Sequence, residues 1–213
     1  MDIFNTNSGE RLFLEDSSLF SDGQRVDFNK TNLPNVDMED LIVRHKARYG
    51  LVSLFCRTGL KVLDFPCGSG YASKILSEYR VDYFGADIDK RTIDYAIYNY
   101  LGYGYFFIMN LKDIDINKKF DIIACIEGIE HIERKHQSKV IKKLYKLLNP
   151  EGVLIISSPE KNENKNKYHL GEMKKQEFIN LLHGRNWKVE IITQRNKLST
   201  GEISNCFYGV CKK

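Results

Sequence analysis

Residues 61–71, KVLDFPCGSGY, decide how the rest of the chain folds. Lys61 to Phe65 is a short apolar run that ends at a proline and two glycines, which predicts a buried strand entering a tight turn. Gly68 and Gly70 allow backbone conformations that other residues avoid, and a helix starting near Tyr71 would offer exposed N–H groups to a ligand. The stretch therefore predicts a strand, a glycine loop and a helix that together cradle a nucleotide.

An acidic residue follows the next predicted strand, Val81 to Ala86. Asp87 lies 17 residues after Gly70, close to the spacing of about 20 residues at which an acidic side chain bonds a ribose hydroxyl in such units. The glycine pattern is G-x-G-x-x-S, so it lacks the third glycine of the dinucleotide fingerprint, and Asp64 stands just before the loop. A carboxylate there suits a ligand with a positive amino group. The missing third glycine and the acidic Asp64 both argue against NAD as the ligand.

This segment resembles motif I of the class I S-adenosylmethionine-dependent methyltransferases, V-L-D-x-x-C-G-x-G, and Asp87 matches their ribose-binding position. The resemblance covers roughly residues 37–213 and implies S-adenosylmethionine as the cofactor. It also implies an α/β fold with a doubly wound, seven-stranded Rossmann-like sheet in the order 3-2-1-4-5-7-6, with strand 7 antiparallel. The cofactor-binding positions that it implies are Arg48, Asp64, Cys67, Gly68, Gly70, Tyr71, Asp87, Ile88, Asn110, Leu111 and Glu127.

The composition limits the partners that we expect. Charged residues make up 28% of the chain and nearly balance at a formal net charge of +4, so neither nucleic acid nor an anionic membrane is an expected partner. No apolar run approaches the ~18 residues of a membrane span, and the N-terminus lacks a signal layout, so we expect no membrane insertion and a cytoplasmic location. The five cysteines show no C-x-x-C spacing, which indicates neither a disulfide framework nor a zinc site. The oligomeric state stays open.

The length fits one α/β domain with an N-terminal extension. Residues 1–35 are rich in Asn, Asp, Ser and Gly and predict an irregular arm. Its few aromatic and leucine residues either cover a pocket as a lid or hold the arm to the core. The methyltransferase domain is predicted for residues 36–213. Its predicted strands are 61–65, 81–86, 105–109, 120–126, 153–157, 188–193 and 206–211. A long first helix is predicted with Asp37 as its N-cap, and further helices are predicted at 71–79, 90–100, 133–148 and 178–182.

Residues 45–49, H-K-A-R-Y, resemble the H-x-x-R-Y element that precedes motif I in bacterial glycan and O-antigen methyltransferases. The resemblance implies that Arg48 reaches the carboxylate of the cofactor. Residues 9–13, GERLF, are similar to the G-E-R-F opening of the same proteins. The alternative is a surface arginine on an amphipathic helix.

The residues that follow the fourth strand of the predicted sheet decide the reaction. Segment 125–133, C-I-E-G-I-E-H-I-E, places Glu127, Glu130 and His131 within five residues. The [DNS]-P-P-[FYW] motif of amino-methylating enzymes does not occur at this point, which favours a hydroxyl acceptor. Such a hydroxyl must lose its proton as it attacks, so a histidine base or a divalent ion has to assist. The catalytic candidates are His131, Glu130, Glu127 and His169.

The pattern E-x-x-E-H resembles the metal-binding element of ubiquinone-biosynthesis O-methyltransferases and of small-RNA 3'-terminal 2'-O-methyltransferases. The latter add H-x-x-E-x-x-x-x-E-F, a spacing that is kept here by His169, Glu172, Glu177 and Phe178. The resemblance implies an Mg²⁺ or Mn²⁺ site, with ligands Glu127, Glu130, His131 and His169. The alternatives are that His131 acts as a base or substrate contact, or that the histidines are structural.

The sequence thus predicts an S-adenosylmethionine-dependent O-methyltransferase that acts on a sugar or small-molecule hydroxyl. The narrower prediction is a role in surface glycan biosynthesis. A metal-dependent RNA ribose 2'-O-methyltransferase is the alternative; the ligand pattern supports it and the balanced charge opposes it. A third hypothesis is a catalytically silent protein that binds the cofactor and serves as an interaction partner.

Overall fold

The computed structural model describes residues 10–16, 18–21, 24–25, 38–161, 168–197 and 203–213. The elements in chain order are β1 (Glu10–Phe13), β2 (Ser18–Ser21), β3 (Gln24–Arg25), α1 (Met38–Ser53), β4 (Lys61–Asp64), α2 (Tyr71–Ser77), β5 (Asp82–Asp87), α3 (Lys90–Tyr100), β6 (Tyr105–Ile108), β7 (Phe120–Cys125), α4 (Arg134–Leu147), β8 (Leu148–Pro159), α5 (Lys175–Leu182), β9 (Lys188–Lys197) and β10 (Ile203–Lys212). Short 3₁₀ turns cover Leu101–Tyr103, Leu111–Asp113 and Ile129–His131. None of the helices in these ranges has both the length and the apolar character needed to cross a bilayer.

Strands β4 to β10 form one mixed sheet in the order β6-β5-β4-β7-β8-β10-β9. The pairs from β6 through β8 are parallel, and β10 is antiparallel to both of its neighbours. This confirms the doubly wound, Rossmann-like sheet and the strand order predicted from the sequence. The chain leaves β4 toward one edge of the sheet and returns through β7 on the other side. A crevice therefore opens between the carboxyl ends of β4 and β7, where α/β sheets bind ligands.

The sheet is buried on both faces, and successive side chains alternate between two apolar layers. Val62 and Ile122 pack with residues of α1, α2 and α3, whereas Leu63 and Ile123 pack with residues of α4 and α5. Because both faces are covered, the central strands are continuous apolar runs instead of alternating ones. This explains why length and bounding residues, rather than alternation, identify these strands in the sequence.

Each strand and helix predicted for residues 36–213 is present, with ends shifted by a few residues. Helix α3 begins where expected, because Asp89 Oδ1 accepts a hydrogen bond from Thr92 N at 2.9 Å. Strand β8 is longer than the predicted 153–157, since Leu148 already pairs with Phe120 at one end and Pro159 pairs with Cys206 at the other.

The N-terminal residues form a small antiparallel sheet in the order β1-β2-β3. The prediction of an irregular backbone is therefore wrong for these residues; their strands are too short to show a period in the sequence. Phe13 is buried against the Tyr95 ring with centroids 4.6 Å apart, and Asp16 Oδ2 accepts from the Tyr95 hydroxyl at 2.5 Å. These contacts tie the sheet to α3. The remainder of residues 1–35 and the predicted N-cap Asp37 lie outside the described residues, and the boundary at residue 35 stays a prediction.

Candidate active site

A cavity of about 490 Å³ lies at the carboxyl ends of β4, β5, β6 and β7. The glycine loop after β4 borders it, and α1 contributes Leu41, His45 and Arg48 to its wall. Nearly all of the predicted site residues meet here: Arg48, Cys67, Gly68, Tyr71, Asp87, Ile88, Asn110, Leu111, Glu127, Glu130, His131 and His169. The two exceptions, Asp64 and Gly70, do not line the cavity.

The two glycines of the loop have different roles. Both have positive φ angles, +52° at Gly68 and +84° at Gly70. A Cβ added to Gly68 would meet nothing within 4 Å, so the main chain there is open to a ligand in the cavity. A Cβ added to Gly70 would lie 2.7 Å from Ala96 Cβ and 2.8 Å from Phe106 Cε1. Gly68 thus leaves space for a ligand, and Gly70 permits close packing of the start of α2 against α3 and β6.

Asp87 is held rigidly at the end of β5. Its Oδ2 accepts from Gly68 N at 3.1 Å and its Oδ1 accepts from Asp89 N at 3.0 Å, while the residue is only 2% exposed. The carboxylate therefore fixes the glycine loop as well as lining the cavity. Asn110 is also oriented, because its Oδ1 accepts from Lys112 N at 2.9 Å.

Asp64 is fully buried and is bound by two tyrosines. The Tyr49 hydroxyl donates to Oδ1 and Oδ2 at 3.1 and 3.0 Å, and the Tyr83 hydroxyl donates to Oδ2 at 2.6 Å. Burial raises the pKa of Asp64 to about 7, and the hydrogen bonds from Tyr83 and Tyr49 oppose that rise. The expected contact between Asp64 and a ligand amino group is thus replaced by tyrosine hydroxyls, of which Tyr49 lines the cavity.

Arg48 is buried against the cavity, which contradicts the alternative of a surface arginine. Its Nη1 lies 3.0 Å from Glu127 Oε2 and donates to His45 Nε2 at 3.2 Å. His45 then carries its proton on Nδ1, which lies 2.9 Å from the Tyr71 hydroxyl. Burial and the charges of Arg48 and Arg44 lower the pKa of His45 well below its usual value. Burial lowers the pKa of Arg48, but Glu127 and, to a smaller extent, Tyr208, Tyr71 and Cys206 together outweigh this effect, so the pKa is raised.

Glu127 has a strained backbone where the chain leaves β7. Its φ is +48°, its N donates to Ser157 Oγ at 2.9 Å, and its Oε1 accepts from Cys206 Sγ at 3.6 Å. Together with the Arg48 ion pair, these contacts fix the position of Glu127. The predicted four-ligand set is therefore corrected: Glu127 lies outside the cluster of ligand-type atoms found among the described residues.

That cluster consists of Glu130, His131 and His169. One ligand atom of each lies within 4.8 Å of the others, and the two imidazole centroids are 5.0 Å apart. Glu130 is fully buried, and neither of its carboxylate oxygens has a hydrogen-bond partner among the described residues. Burial, and after it the Glu127 charge, raise the pKa of Glu130 well above its usual value.

Backbone and acidic acceptors orient the two histidines. His131 Nδ1 donates to the Tyr168 carbonyl at 3.1 Å, and His169 Nδ1 donates to Glu172 Oε1 at 2.5 Å. Tyr168 and Glu172 are site residues that sequence reasoning did not assign. The H-x-x-E spacing contains a signal for Glu172, whereas nothing in the sequence identifies a backbone carbonyl.

Two further contributors come from other parts of the chain. Leu12 of β1 lines the cavity, and its carbonyl accepts from Ser69 Oγ in the glycine loop at 2.5 Å. His45 precedes Arg48 by one helical turn, a spacing that places both on one face of α1. Leu12 of β1 thus forms part of the cavity wall, and a lid role for residues 1–35 stays a prediction.

The chain is similar to known methyltransferases in sequence and in fold. A family model described as a methyltransferase domain matches residues 38–191. The chain is 25% identical over 158 residues to a probable S-adenosylmethionine-dependent methyltransferase of Mycolicibacterium smegmatis, a match that covers 69% of this chain and 59% of that protein. It is 30% identical over 142 residues to the ubiquinone biosynthesis O-methyltransferase of Rickettsia typhi, covering 64% and 53%. The chain therefore spans about half the length of such curated relatives.

Among solved structures, the N-methyltransferase NodS from Bradyrhizobium japonicum superposes with a TM-score of 0.68. The superposition covers 84% of this chain and 99% of NodS at 15% sequence identity. At this identity the similarity shows a shared fold.

Proposed function

The chain belongs to the methyltransferase domain family of the class I, S-adenosylmethionine-dependent type, and we propose that it transfers the methyl group of that cofactor to a hydroxyl of a small molecule or sugar. The proposal rests mainly on the cavity, which extends from Gly68 and Asp87 to the Glu130–His131–His169 cluster. A cofactor site and a group of proton-accepting side chains thus share one space.

The residues at the glycine loop fit the cofactor. Gly68 leaves its main chain open, Asp87 presents a fixed carboxylate for the ribose, and Asn110 lines the same cavity with its side chain held by Lys112 N. Arg48 would hold the carboxylate of the cofactor, since a guanidinium can bind a second carboxylate beside Glu127. S-adenosylmethionine supplies an activated methyl group on a positively charged sulfur.

The acceptor hydroxyl has to lose a proton as its oxygen bonds to the methyl carbon and the carbon–sulfur bond breaks. An alcohol holds its proton too tightly to lose it unaided at neutral pH, so nearby groups must accept the proton or stabilise the alkoxide. His131, His169 and Glu130 are the residues of the cavity that suit this task. They lie in the part of the wall formed by the turn after β7 and the segment after β8.

Three observations favour oxygen in a small molecule as the acceptor. The cavity of about 490 Å³ is of the size that small ligands occupy. The relative from Rickettsia typhi is an O-methyltransferase. The segment after β7 lacks the motif of amino-methylating enzymes. The H-x-x-R-Y resemblance supports the narrower proposal of an enzyme of surface glycan biosynthesis.

A ribose 2'-hydroxyl of RNA is the second candidate acceptor. The Glu130–His131–His169 cluster supports it, because a similar pattern occurs in RNA-methylating enzymes. The near balance of charge opposes it, since RNA-binding surfaces are usually strongly basic.

The test is to incubate the protein with methyl-labelled S-adenosylmethionine and cell extract separated into glycan, lipid, RNA and small-molecule fractions. We expect label in the glycan or small-molecule fraction, in a bond that resists mild alkali as an ether does and a methyl ester does not. Label in RNA, with binding that weakens steeply as salt rises, would support the second candidate. Tight cofactor binding with no label in any fraction would contradict methyl transfer and support the silent cofactor-binding protein. The control is Asp87→Ala, which should transfer little label.

A further inference from the structure

We propose that the exposed face of α4 is a docking surface for a bilayer that carries anionic lipid headgroups. The near balance of the total charge argues against such a partner, but a total does not describe how the charges are distributed. Helix α4 contributes six Lys and Arg residues and no acidic residue. Since the whole chain has 32 Lys and Arg against 28 Asp and Glu, the rest of the chain carries a net charge of −2. The positive charge is therefore concentrated on one helix.

Four exposed lysines form a stripe along the outer side of α4. They are Lys135, Lys139, Lys142 and Lys146. Their spacing of four, three and four residues places them on one face of a helix, and the stripe is about 16 Å long at the usual helical rise. The opposite face consists mainly of apolar residues that are buried in the core. The stripe therefore faces solvent along most of the helix.

The acidic residues that pair with α4 lie at its N-terminal end. Glu133 Oε2 lies 2.8 Å from Lys135 Nζ, and Glu177 Oε1 lies 2.6 Å from Arg134 Nη2. The other three lysines of the stripe form no ion pair within the part of the chain that the structure describes. Their charges are therefore available to an anion outside the protein.

The neighbouring segment 111–119 does not neutralise the helix. Lys143 Nζ donates to the Lys112 carbonyl at 3.0 Å, and Lys119 Nζ donates to the Lys146 carbonyl, so this segment packs beside α4. It contains three lysines and two aspartates, which gives it a net charge of +1. The positive surface thus extends beyond the stripe on this side.

The side chains on this face decide which anionic partner fits. None of the large apolar or aromatic side chains that are exposed in the described residues lies on α4. Single-stranded nucleic acids are usually bound with aromatic rings that stack on the bases, and protein partners are usually anchored by aromatic or arginine side chains in pockets. A lysine cluster without such anchors is typical of binding to anionic lipid headgroups.

The helix binds at the surface of the bilayer and does not enter it. Its apolar residues are used in the core, so no apolar face is left to insert between the lipids. The contact is therefore electrostatic and is screened by salt. Helix α4 begins three residues after His131, which lines the cavity, so the docking surface starts at the end of the sheet where the cavity opens. Docking does not depend on the proposed function, because it needs neither cofactor nor acceptor.

Co-sedimentation of the untagged full chain with lipid vesicles, without cofactor, tests the docking surface. We expect binding at about 0.1 M salt to vesicles that contain phosphatidylglycerol in phosphatidylcholine, and release at about 1 M salt, where the screening length falls to about 3 Å. Vesicles of phosphatidylcholine alone should not bind the protein, because they carry no net charge.

A triple variant of α4 tests whether the stripe makes the contact. Lys139→Gln, Lys142→Gln and Lys146→Gln together should weaken binding to the anionic vesicles about 100-fold, because each lysine near such a surface contributes about a factor of five. All three side chains are exposed, so the melting temperature of this variant should stay close to that of the native chain.

The matched control removes the same charge from the other side of the sheet. Lys46→Gln, Lys74→Gln and Lys90→Gln change exposed lysines of α1, α2 and α3, and together they should alter vesicle binding by less than about threefold. Equal weakening by the two triple variants would overturn the proposal, since the net charge alone would then explain binding. Failure of the native chain to bind anionic vesicles would also overturn it. Tighter binding to polyuridylic acid than to the vesicles, lost in the α4 variant, would assign the surface to nucleic acid instead.

Discussion

Arg48 and Glu127 form an ion pair beside the cavity, with Arg48 Nη1 3.0 Å from Glu127 Oε2. The side chains are 11% and 28% exposed, so water screens the pair only partly. Arg48 lies on α1 and Glu127 follows β7, so the pair joins the N-terminal helix of the domain to the central strand. It also orients the guanidinium that is expected to bind the cofactor, and it engages Glu127, which does not belong to the Glu130–His131–His169 cluster.

A double-mutant cycle should reveal this pair. Arg48→Ala and Glu127→Ala should each destabilise the fold, and the double variant should lose less than the sum, with a coupling of about 1 to 3 kcal/mol in the free energy of unfolding. Urea unfolding of the four proteins measures this quantity. Strictly additive losses would mean that the ion pair contributes nothing to stability.

The two loop glycines should respond differently to alanine. Gly70→Ala should lower the free energy of unfolding by about 2 to 4 kcal/mol, because the methyl group meets Ala96 and Phe106 and the backbone is strained. Gly68→Ala should cost only about 1 kcal/mol of stability, from its positive φ. It should nevertheless weaken S-adenosylhomocysteine binding about tenfold or more, because the methyl group enters the space left for the ligand. Calorimetry and urea unfolding compare the two; equal effects on stability would contradict the division of roles.

Asp87→Ala should weaken cofactor binding by about 1 to 3 kcal/mol, the loss expected when the charged partner of a hydroxyl is removed. The substitution also takes the acceptor from Gly68 N and loosens the loop. Titration calorimetry with S-adenosylhomocysteine measures the effect. Asp94→Ala, at a carboxylate on the surface of α3 that pairs with Lys90, is the control and should bind normally. Unchanged affinity in Asp87→Ala would place the ribose elsewhere.

Asp64 should make stability depend on pH. Its folded-state pKa is raised to about 7, whereas an unfolded Asp titrates near ~3.9. Because the folded chain holds this proton more tightly, the stabilising contribution is complete below about pH 4 and is lost as the pH rises through about 7.

Asp64→Asn cannot ionise, so its free energy of unfolding should rise relative to the native chain by about 2 kcal/mol between about pH 5 and pH 8. Urea unfolding of both proteins across this range measures the difference. Parallel pH profiles for the two proteins would show that the pKa of Asp64 is not raised in the folded state.

Local patterns were sufficient for the framework of the domain. Apolar runs, capping residues and glycines mark β4, the glycine loop and α3 because each depends on neighbours in the chain, and the spacing from Gly70 to Asp87 follows from one strand–helix–strand unit. The same patterns do not predict the small sheet formed by β1, β2 and β3, since its strands are too short to show the two-residue alternation of a strand.

The sequence by itself determined the strands and helices, the place of the crevice and the set of polar residues that surround it, because these follow from local patterns and from the strand–helix–strand unit. The sheet order was implied by the resemblance to class I methyltransferases. Only the tertiary structure decided which of these residues act together. Arg48 pairs with Glu127, two tyrosines donate to Asp64, and a segment after β8 brings His169 to Glu130. The physical reason is that a side chain takes its partner from whatever packing brings within a few ångströms, and those partners are remote in the chain.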